Sequence, residues 1–184
     1  LALCSLLFGA MQLCLTTYLV SYLTEDYGLA LVSAGVILAL TQGAGVVGRL
    51  LWGWVADHWL EPRRLLPLLA LLMAISSLLT AAFTQSWPMA LVVAVSMLFG
   101  ATAIGWNGVY LAEVARLAPA GSAGQYTGGT LFFTYFGVVA GPPLFAGVTH
   151  LSQSMASGYL LFGALMLLIA CLLYTSDAAD EGLG

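Results

Sequence analysis

Amide and hydroxyl side chains interrupt several long apolar stretches of this sequence, and their chemistry suits the binding of a polar solute. An amide buried without a partner is costly, so such groups face either one another or a water-filled space. Hydrogen bonding to a solute and hydrogen bonding between helices are both open interpretations. The candidates for a solute pathway are Gln12, Thr16, Gln42, Trp106, Asn107, Tyr110, Thr134 and Tyr135.

The few charged residues are concentrated at the ends of the apolar stretches. Asp57 is followed by Arg63 and Arg64 in one short polar break, and Glu113 precedes Arg116 at the end of a later apolar stretch. Residues three apart are neighbours on a helix, so Glu113 and Arg116 are expected to pair. We expect these five charges to form one network; the alternative is solvated pairs, each contributing less than about 1 kcal/mol.

The chain lacks the residue patterns of common catalytic and metal sites. The sequence holds three well-separated cysteines, no His-Glu-x-x-His, and neither an aspartate pair nor a Ser/His couple at matching depth in the apolar stretches. We therefore expect no enzyme activity, no cofactor and no metal site. Four arginines and no lysine provide no basic surface for a phosphate backbone, so a nucleic-acid partner is excluded as well.

The apolar stretches themselves are typical of membrane helices. Hydrophobic residues make up 61% of the 184 residues and charged residues only 7%, whereas soluble proteins carry about 25% charge. A helix crosses the hydrocarbon core with about 20 apolar residues, and backbone polar groups there must be paired internally. The sequence therefore predicts an all-α membrane protein with spans at about 1–23, 30–56, 65–84, 88–115, 124–148 and 155–173.

The arginines predict the orientation of these spans. Arg49, Arg63, Arg64 and Arg116 all lie towards the side that the chain reaches after an even number of spans. Positively charged residues favour the cytoplasmic side of a membrane. We therefore expect both ends of the chain to be cytoplasmic.

The segment between the second and third spans reads Gly48-Arg-Leu-Leu-Trp-Gly53-Trp-Val-Ala-Asp57-His-Trp-Leu-Glu-Pro-Arg63-Arg64. It resembles the Gly-x-x-x-Asp…Arg-Arg signature of the major facilitator superfamily, which joins the second and third helices of a six-helix half. The resemblance implies that Gly53 permits close helix approach and that Asp57 binds a helix N-terminus or an arginine across a cytoplasmic gate. The match departs from the signature in its longer loop, its missing second glycine and the histidine after the aspartate. The implied gate residues are Gly53, Asp57, Arg63, Arg64, Glu113 and Arg116.

The fifth span carries a second resemblance. Its Gly137-Val-Val-Ala-Gly141-Pro142-Pro143 is similar to the Gly-x-x-x-Gly-Pro stretch of antiporters in this superfamily. Gly137 and Gly141 predict a face for close helix packing, while Pro142 and Pro143 predict a kink, since each removes a backbone donor. The predicted kink could serve the rocking of a transporter between inward-facing and outward-facing states. The alternative is that these residues serve only helix packing and produce a bend.

The superfamily has twelve helices in two six-helix halves, with the solute site between them near the bilayer midplane. The resemblance thus implies a secondary transporter for a small solute, with the lipid bilayer and the other six-helix half as partners. The N-terminal half often carries an arginine in its fourth helix, and none lies within 89–114, so we expect the C-terminal half. The absence of a mid-membrane lysine or histidine implies that an anionic solute would need a cation from the other half.

The substrate and location follow from a further resemblance. The stretches Gly105-Trp-Asn-Gly108 and Ala112-Glu-Val-Ala resemble bacterial permeases for small organic solutes. They imply an organic anion or similar metabolite as the substrate and the bacterial cytoplasmic membrane as the location. A membrane subunit of an ATP-driven transporter and a non-transporting helical bundle are the alternatives.

The two ends of the chain have features that are not typical of a natural protein. Leu1 is not a methionine and opens directly in a span, which indicates a truncated start. Residues 171–181 are identical to a translation of a transposase sequencing adapter. We therefore expect the six-helix half to occupy 1–170 and residues 171–184 to be non-native; an acidic cytoplasmic tail is the alternative.

Overall fold

Seven helices form the described part of the chain. The computed structural model describes the backbone of residues 1–181 and the side chains of residues 1–175. Short turns join consecutive helices, as expected for antiparallel membrane segments. The helices are α1 (Ala2–Glu25), α2 (Leu31–His58), α3 (Pro62–Ala81), α4 (Met89–Ala103), α5 (Asn107–Leu117), α6 (Ala123–Ser152) and α7 (Met155–Glu181).

The structure confirms the predicted all-α bundle with six segments long and apolar enough to cross a membrane. The predicted boundaries differ from the observed ones by a few residues: α3 already begins at Pro62, where its missing N–H leaves no helical hydrogen bond unmade. The larger difference is in the fourth segment, which was predicted as one continuous helix. It consists of α4 and α5, separated by a turn at residues 104–106, which we call the α4–α5 break.

Glycines account for the weakness of the fourth segment at this point. Gly100, Gly105 and Gly108 lie within and beside the α4–α5 break, and each glycine in a helix interior costs about 1 kcal/mol relative to alanine. A methyl group at Gly100 would overlap the carbonyl of Thr41 on α2. The glycines therefore both weaken the helix and let α2 approach its backbone.

The helices pack mainly in pairs, α1 with α6, α2 with α4 and α3 with α7. Close contact between α1 and α6 depends on glycine: a methyl group at Gly137 would overlap the Leu6 carbonyl, and one at Gly141 would lie 2.8 Å from the Ala10 Cα. The α6 helix continues without interruption through its two prolines. The Pro142 carbonyl accepts a hydrogen bond from the Tyr18 hydroxyl at 2.9 Å, which adds a polar link to the same helix pair.

Two helices leave much of their apolar surface uncovered. Only 28% of the membrane-crossing part of α2 and 22% of that of α6 are buried, against 56% for α3. Exposed apolar side chains in a membrane protein face either lipid or further helices. The largest of them on these two helices include Leu31, Val32, Val46, Leu50, Phe132, Phe136, Val139 and Leu144.

Two buried tyrosines differ in whether their hydroxyl groups are paired, and this difference predicts opposite effects of the same substitution. The Tyr22 hydroxyl donates to the Thr80 carbonyl at 2.7 Å, whereas the Tyr159 hydroxyl has no hydrogen-bond partner among the described residues. We expect Tyr22→Phe to lower the free energy of unfolding by about 1 kcal/mol. Tyr159→Phe is expected to leave it unchanged or raise it, since no bond is lost. Thermal unfolding in detergent, followed by circular dichroism, checks both; an equal loss in the two variants would contradict the prediction.

The origin of the C-terminal segment stays a prediction. The α7 helix runs from Met155 to Glu181 without a break at Ala170, and residues 182–184 lie outside the described part of the chain. A helix forms equally well from a native or an adapter-derived sequence of this composition. The nucleotide sequence encoding residues 171–184 would decide between the two.

Candidate functional site

Three of the predicted pathway residues meet at the start of α5. The Trp106 indole N–H and the Asn107 side-chain amide both donate to the Gln12 Oε1 on α1, at 3.1 and 3.3 Å. We call these three residues the Gln12 cluster. Gln12 and Asn107 are half-buried, so their remaining amide donors and acceptors are partly accessible. The cluster therefore serves helix packing and retains polar groups that a solute could contact.

Aromatic contacts hold Trp106 away from lipid. Only 1% of Trp106 is exposed, and its ring lies edge-on to Phe8 with the centroids 5.2 Å apart. Tyr110 lies one turn further along α5, is equally buried, and its ring centroid is 5.4 Å from that of Trp106. The structure therefore places Trp106 in the protein interior.

Besides Tyr110, four pathway candidates lie outside the Gln12 cluster. Gln42 is exposed on α2, and Tyr135 is 64% exposed on α6. The hydroxyls of Thr16 and Thr134 donate to carbonyls one turn earlier in their own helices, those of Gln12 and Thr130, both at 3.2 Å. A pathway that includes these four residues stays a prediction.

In the sequence, Arg49 indicates only the orientation of the spans in the membrane. The structure makes it a functional candidate as well. It lies within the second membrane segment, and its Nε donates to the Ile104 carbonyl in the α4–α5 break at 3.1 Å. A cation is stabilised at a helix C-terminus, where carbonyl groups lack helical partners. The guanidinium is thus held two residues from Trp106 and three from Asn107 along the chain. This chain therefore places a cation at the α4–α5 break, which leads directly into the cluster, whereas the sequence predicts such a cation only in the other half of the transporter.

The implied gate residues lie at the predicted cytoplasmic ends of α2, α3 and α5. Within the described chain, Gly53 does not lie in a close contact between helices. A methyl group at Gly53 would contact nothing within 4 Å in the described part of the chain, so this glycine is not packed against another of its helices. That approach occurs earlier in α2, where a methyl group at Gly48 would overlap the Ala101 carbonyl. Asp57 is exposed at the end of α2, and its pairing with Arg63 or Arg64 stays a prediction.

Glu113 and Arg116 form the ion pair expected from their spacing. Both guanidinium contacts are short, Nη2 to Oε1 at 2.7 Å and Nε to Oε2 at 2.8 Å. The Glu113 side chain is 4% exposed, while that of Arg116 is 50% exposed. The pair is therefore bidentate and joins a buried carboxylate to a half-exposed guanidinium.

Removal of that partner is expected to destabilise the protein. Arg116→Ala removes both of these charge-assisted contacts from the buried Glu113 carboxylate, and we expect it to lower the free energy of unfolding by roughly 2 kcal/mol at neutral pH. Adding Glu113→Gln to this variant removes the buried charge and should restore part of the loss. Thermal unfolding of the single and double variants tests this; additive losses would show that the carboxylate does not depend on Arg116.

The sequence contained a signal for the α4–α5 break and for the role of Arg49, although it was indirect. Three glycines without a proline mark the weak point, but they do not show where the helix ends. Arg49 and Trp52 lie three residues apart and so share a face of α2. Which carbonyls that face meets depends on the packing of two segments that are distant in sequence.

Comparison with known proteins adds independent information. The family model of the Major Facilitator Superfamily matches residues 1–182. The chain is 34% identical over 174 residues to proteins described as "Probable nitrate/nitrite transporter NarK2" in two Mycobacterium tuberculosis strains, CDC 1551 / Oshkosh and ATCC 25618 / H37Rv. These alignments cover 90% of this chain and 41% of each relative, so the chain spans about two fifths of their length. No solved structure matches the chain significantly.

Proposed function

Because the chain belongs to the major facilitator superfamily, we propose that it is one six-helix half of a secondary transporter that moves a small inorganic anion, nitrate or nitrite, by alternating access. The family membership supports this mechanism over the ATP-driven alternative, and the description of the relatives as probable nitrate/nitrite transporters supports the anion. This substrate replaces the organic anion expected from the sequence alone.

The position of Arg49 carries the proposal for an anion. A charged side chain within a membrane segment is costly unless it faces protein or a water-filled cavity. Arg49 uses its Nε to bind the Ile104 carbonyl, and a guanidinium has five N–H donors in a planar fork. The Nη donors can bind a planar oxyanion, which matches their geometry. The amides of Gln12 and Asn107 supply neutral donors nearby in the fold.

The uncovered faces of α2 and α6 support a second half as the partner. Their exposed apolar side chains would pack against six further helices, and the solute would lie between the two halves. The proposed location is a bacterial cytoplasmic membrane with both ends of the chain on the cytoplasmic side. In this arrangement the chain is the C-terminal half.

Nitrate uptake by the full-length transporter tests this function. Liposomes loaded with nitrite and containing the complete protein are expected to take up labelled nitrate. Gln12→Ala and Asn107→Ala should each raise KM about tenfold, since each removes a hydrogen-bonding group from the site. Gln153→Ala, in the turn between α6 and α7, is the matched control and should leave KM unchanged. Uptake without nitrate specificity, or with unchanged kinetics in both site variants, would overturn the proposal.

A further inference from the structure

The α4–α5 break exposes backbone carbonyls inside a membrane segment, and α2 supplies the donors that pair with two of them. The Trp52 indole N–H donates to the Ala101 carbonyl at 2.8 Å, and Arg49 donates to the Ile104 carbonyl. Backbone groups at this depth must be paired within the protein. We propose that Trp52 is a positioning residue, which holds the α4–α5 break in the geometry that brings Arg49 and the Gln12 cluster together.

The packing around Trp52 leaves little freedom for the break to move. A methyl group at Gly105 would overlap the Ala101 carbonyl, and it would lie 2.8 Å from the Trp52 Cδ1 and 3.1 Å from the Gly48 carbonyl carbon. A methyl group at Gly45 would lie 2.7 Å from the Ile104 Cβ. The half-buried indole thus lies against the break, where its N–H donates to the Ala101 carbonyl.

The break is connected directly to the Gln12 cluster. Trp106 follows Gly105, and its indole reaches Gln12 on α1 while its ring packs on Phe8. A change in the backbone at Gly105 would therefore move the Trp106 and Asn107 donors relative to Gln12. Trp52 contacts none of the three cluster residues through a hydrogen bond; it acts on them through the break.

The same residue links the site to the predicted cytoplasmic gate. Trp52 lies next to Gly53 and little more than one turn before Asp57 on the same helix. A rigid shift of the inner end of α2 would therefore pull on the Ala101 carbonyl and change the site. This inference rests on the proposed anion site, and it adds the residue that couples this site to the movement of α2.

Hydrogen exchange in the full-length transporter tests the holding role of Trp52. Trp52→Phe keeps an aromatic ring but removes the N–H, and in lipid nanodiscs it should raise amide exchange at residues 104–107 about tenfold. Trp54→Phe is the matched control, because Trp54 lies on the same helix, is 47% exposed and stacks on His58. Equal exchange at the break in the two variants would overturn the proposal.

Nitrate binding to the same samples tests the positioning role. The dissociation constant for nitrate, obtained from nitrate-induced thermal stabilisation, should rise about tenfold in Trp52→Phe and stay unchanged in Trp54→Phe. Faster exchange at the break with unchanged nitrate affinity would show that Trp52 supports the fold alone, and would overturn the inference.

The two proposals fail in different ways. If nitrate does not bind the unmodified full-length transporter while Trp52→Phe still raises exchange at the break, the anion site is wrong, but the role of Trp52 in holding the break is retained. If Trp52→Phe does not fold, Gly105→Ala replaces it, since the new methyl group would overlap the Ala101 carbonyl that accepts the indole N–H and would lie 2.8 Å from the Trp52 Cδ1. Gly108→Ala is its control, because a methyl group there would contact nothing within 4 Å. Equal exchange in these two glycine variants would likewise overturn the inference.

Discussion

Replacement of Arg49 by glutamine is expected to remove most of the affinity for nitrate. The substitution eliminates the positive charge beside the Gln12 cluster while keeping an N–H that can reach the Ile104 carbonyl. A charge-assisted hydrogen bond contributes about 1.5–3 kcal/mol, so we expect the dissociation constant to rise roughly 10- to 150-fold. Nitrate-induced thermal stabilisation of the full-length transporter in nanodiscs, and nitrate uptake by the same protein in liposomes, both measure this change.

Two comparisons separate a loss of binding from a loss of structure. Arg49→Lys keeps the charge but not the planar fork of donors, so its affinity should lie between those of the parent and the glutamine variant. Arg63→Gln removes an arginine at the start of α3, away from the break, and should leave nitrate affinity unchanged. If Arg49→Gln retains the nitrate response of the parent, Arg49 is not part of the anion site.

Substitution of Gly137 by alanine is expected to cause the largest loss of stability. The added methyl group would overlap the Leu6 carbonyl, which belongs to the backbone of α1 and cannot move independently of that helix. The two helices must separate, with loss of the contacts along their shared face. We expect the free energy of unfolding to fall by about 3 kcal/mol or more, measured by denaturant titration of the purified chain in detergent.

Open glycines in the same protein provide the controls. A methyl group at Gly147 on α6 or at Gly53 on α2 would contact nothing within 4 Å. Alanine at either position should therefore be neutral or stabilising by up to about 1 kcal/mol, through its higher helix propensity. If Gly137→Ala proves as stable as Gly147→Ala, the close packing of α1 against α6 is not as the structure shows it.

The secondary structure was largely predictable because a membrane imposes strong local rules. Long apolar segments must be helical at this depth, so the six membrane segments could be located within a few residues. The α4–α5 break was missed because no proline marks it. Its glycines lower helix stability, but the turn also depends on Trp52 and Arg49, which bind carbonyls that an unbroken helix would engage itself.

The site was only partly predictable for the same reason. Gln12, Trp106 and Asn107 were identifiable as polar residues in apolar surroundings, because unpaired polar groups are costly there. Their meeting at a single oxygen, Gln12 Oε1, depends on the packing of α1 against α5. Gly53 shows the reverse case: a family signature implied close packing, while the structure leaves the space around this glycine open.

The sequence by itself determined the membrane environment, the helical class, the number of membrane segments and the resemblance to the superfamily. Each of these follows from the composition, from the length of the apolar stretches or from a short motif, all of which are properties of residues close together in the sequence. The tertiary structure decided which polar groups meet, that Arg49 lies at the break, and that Gly48 rather than Gly53 lies in the close contact of α2. These depend on the relative rotation and depth of helices far apart in the chain, which close packing of backbones and side chains fixes together.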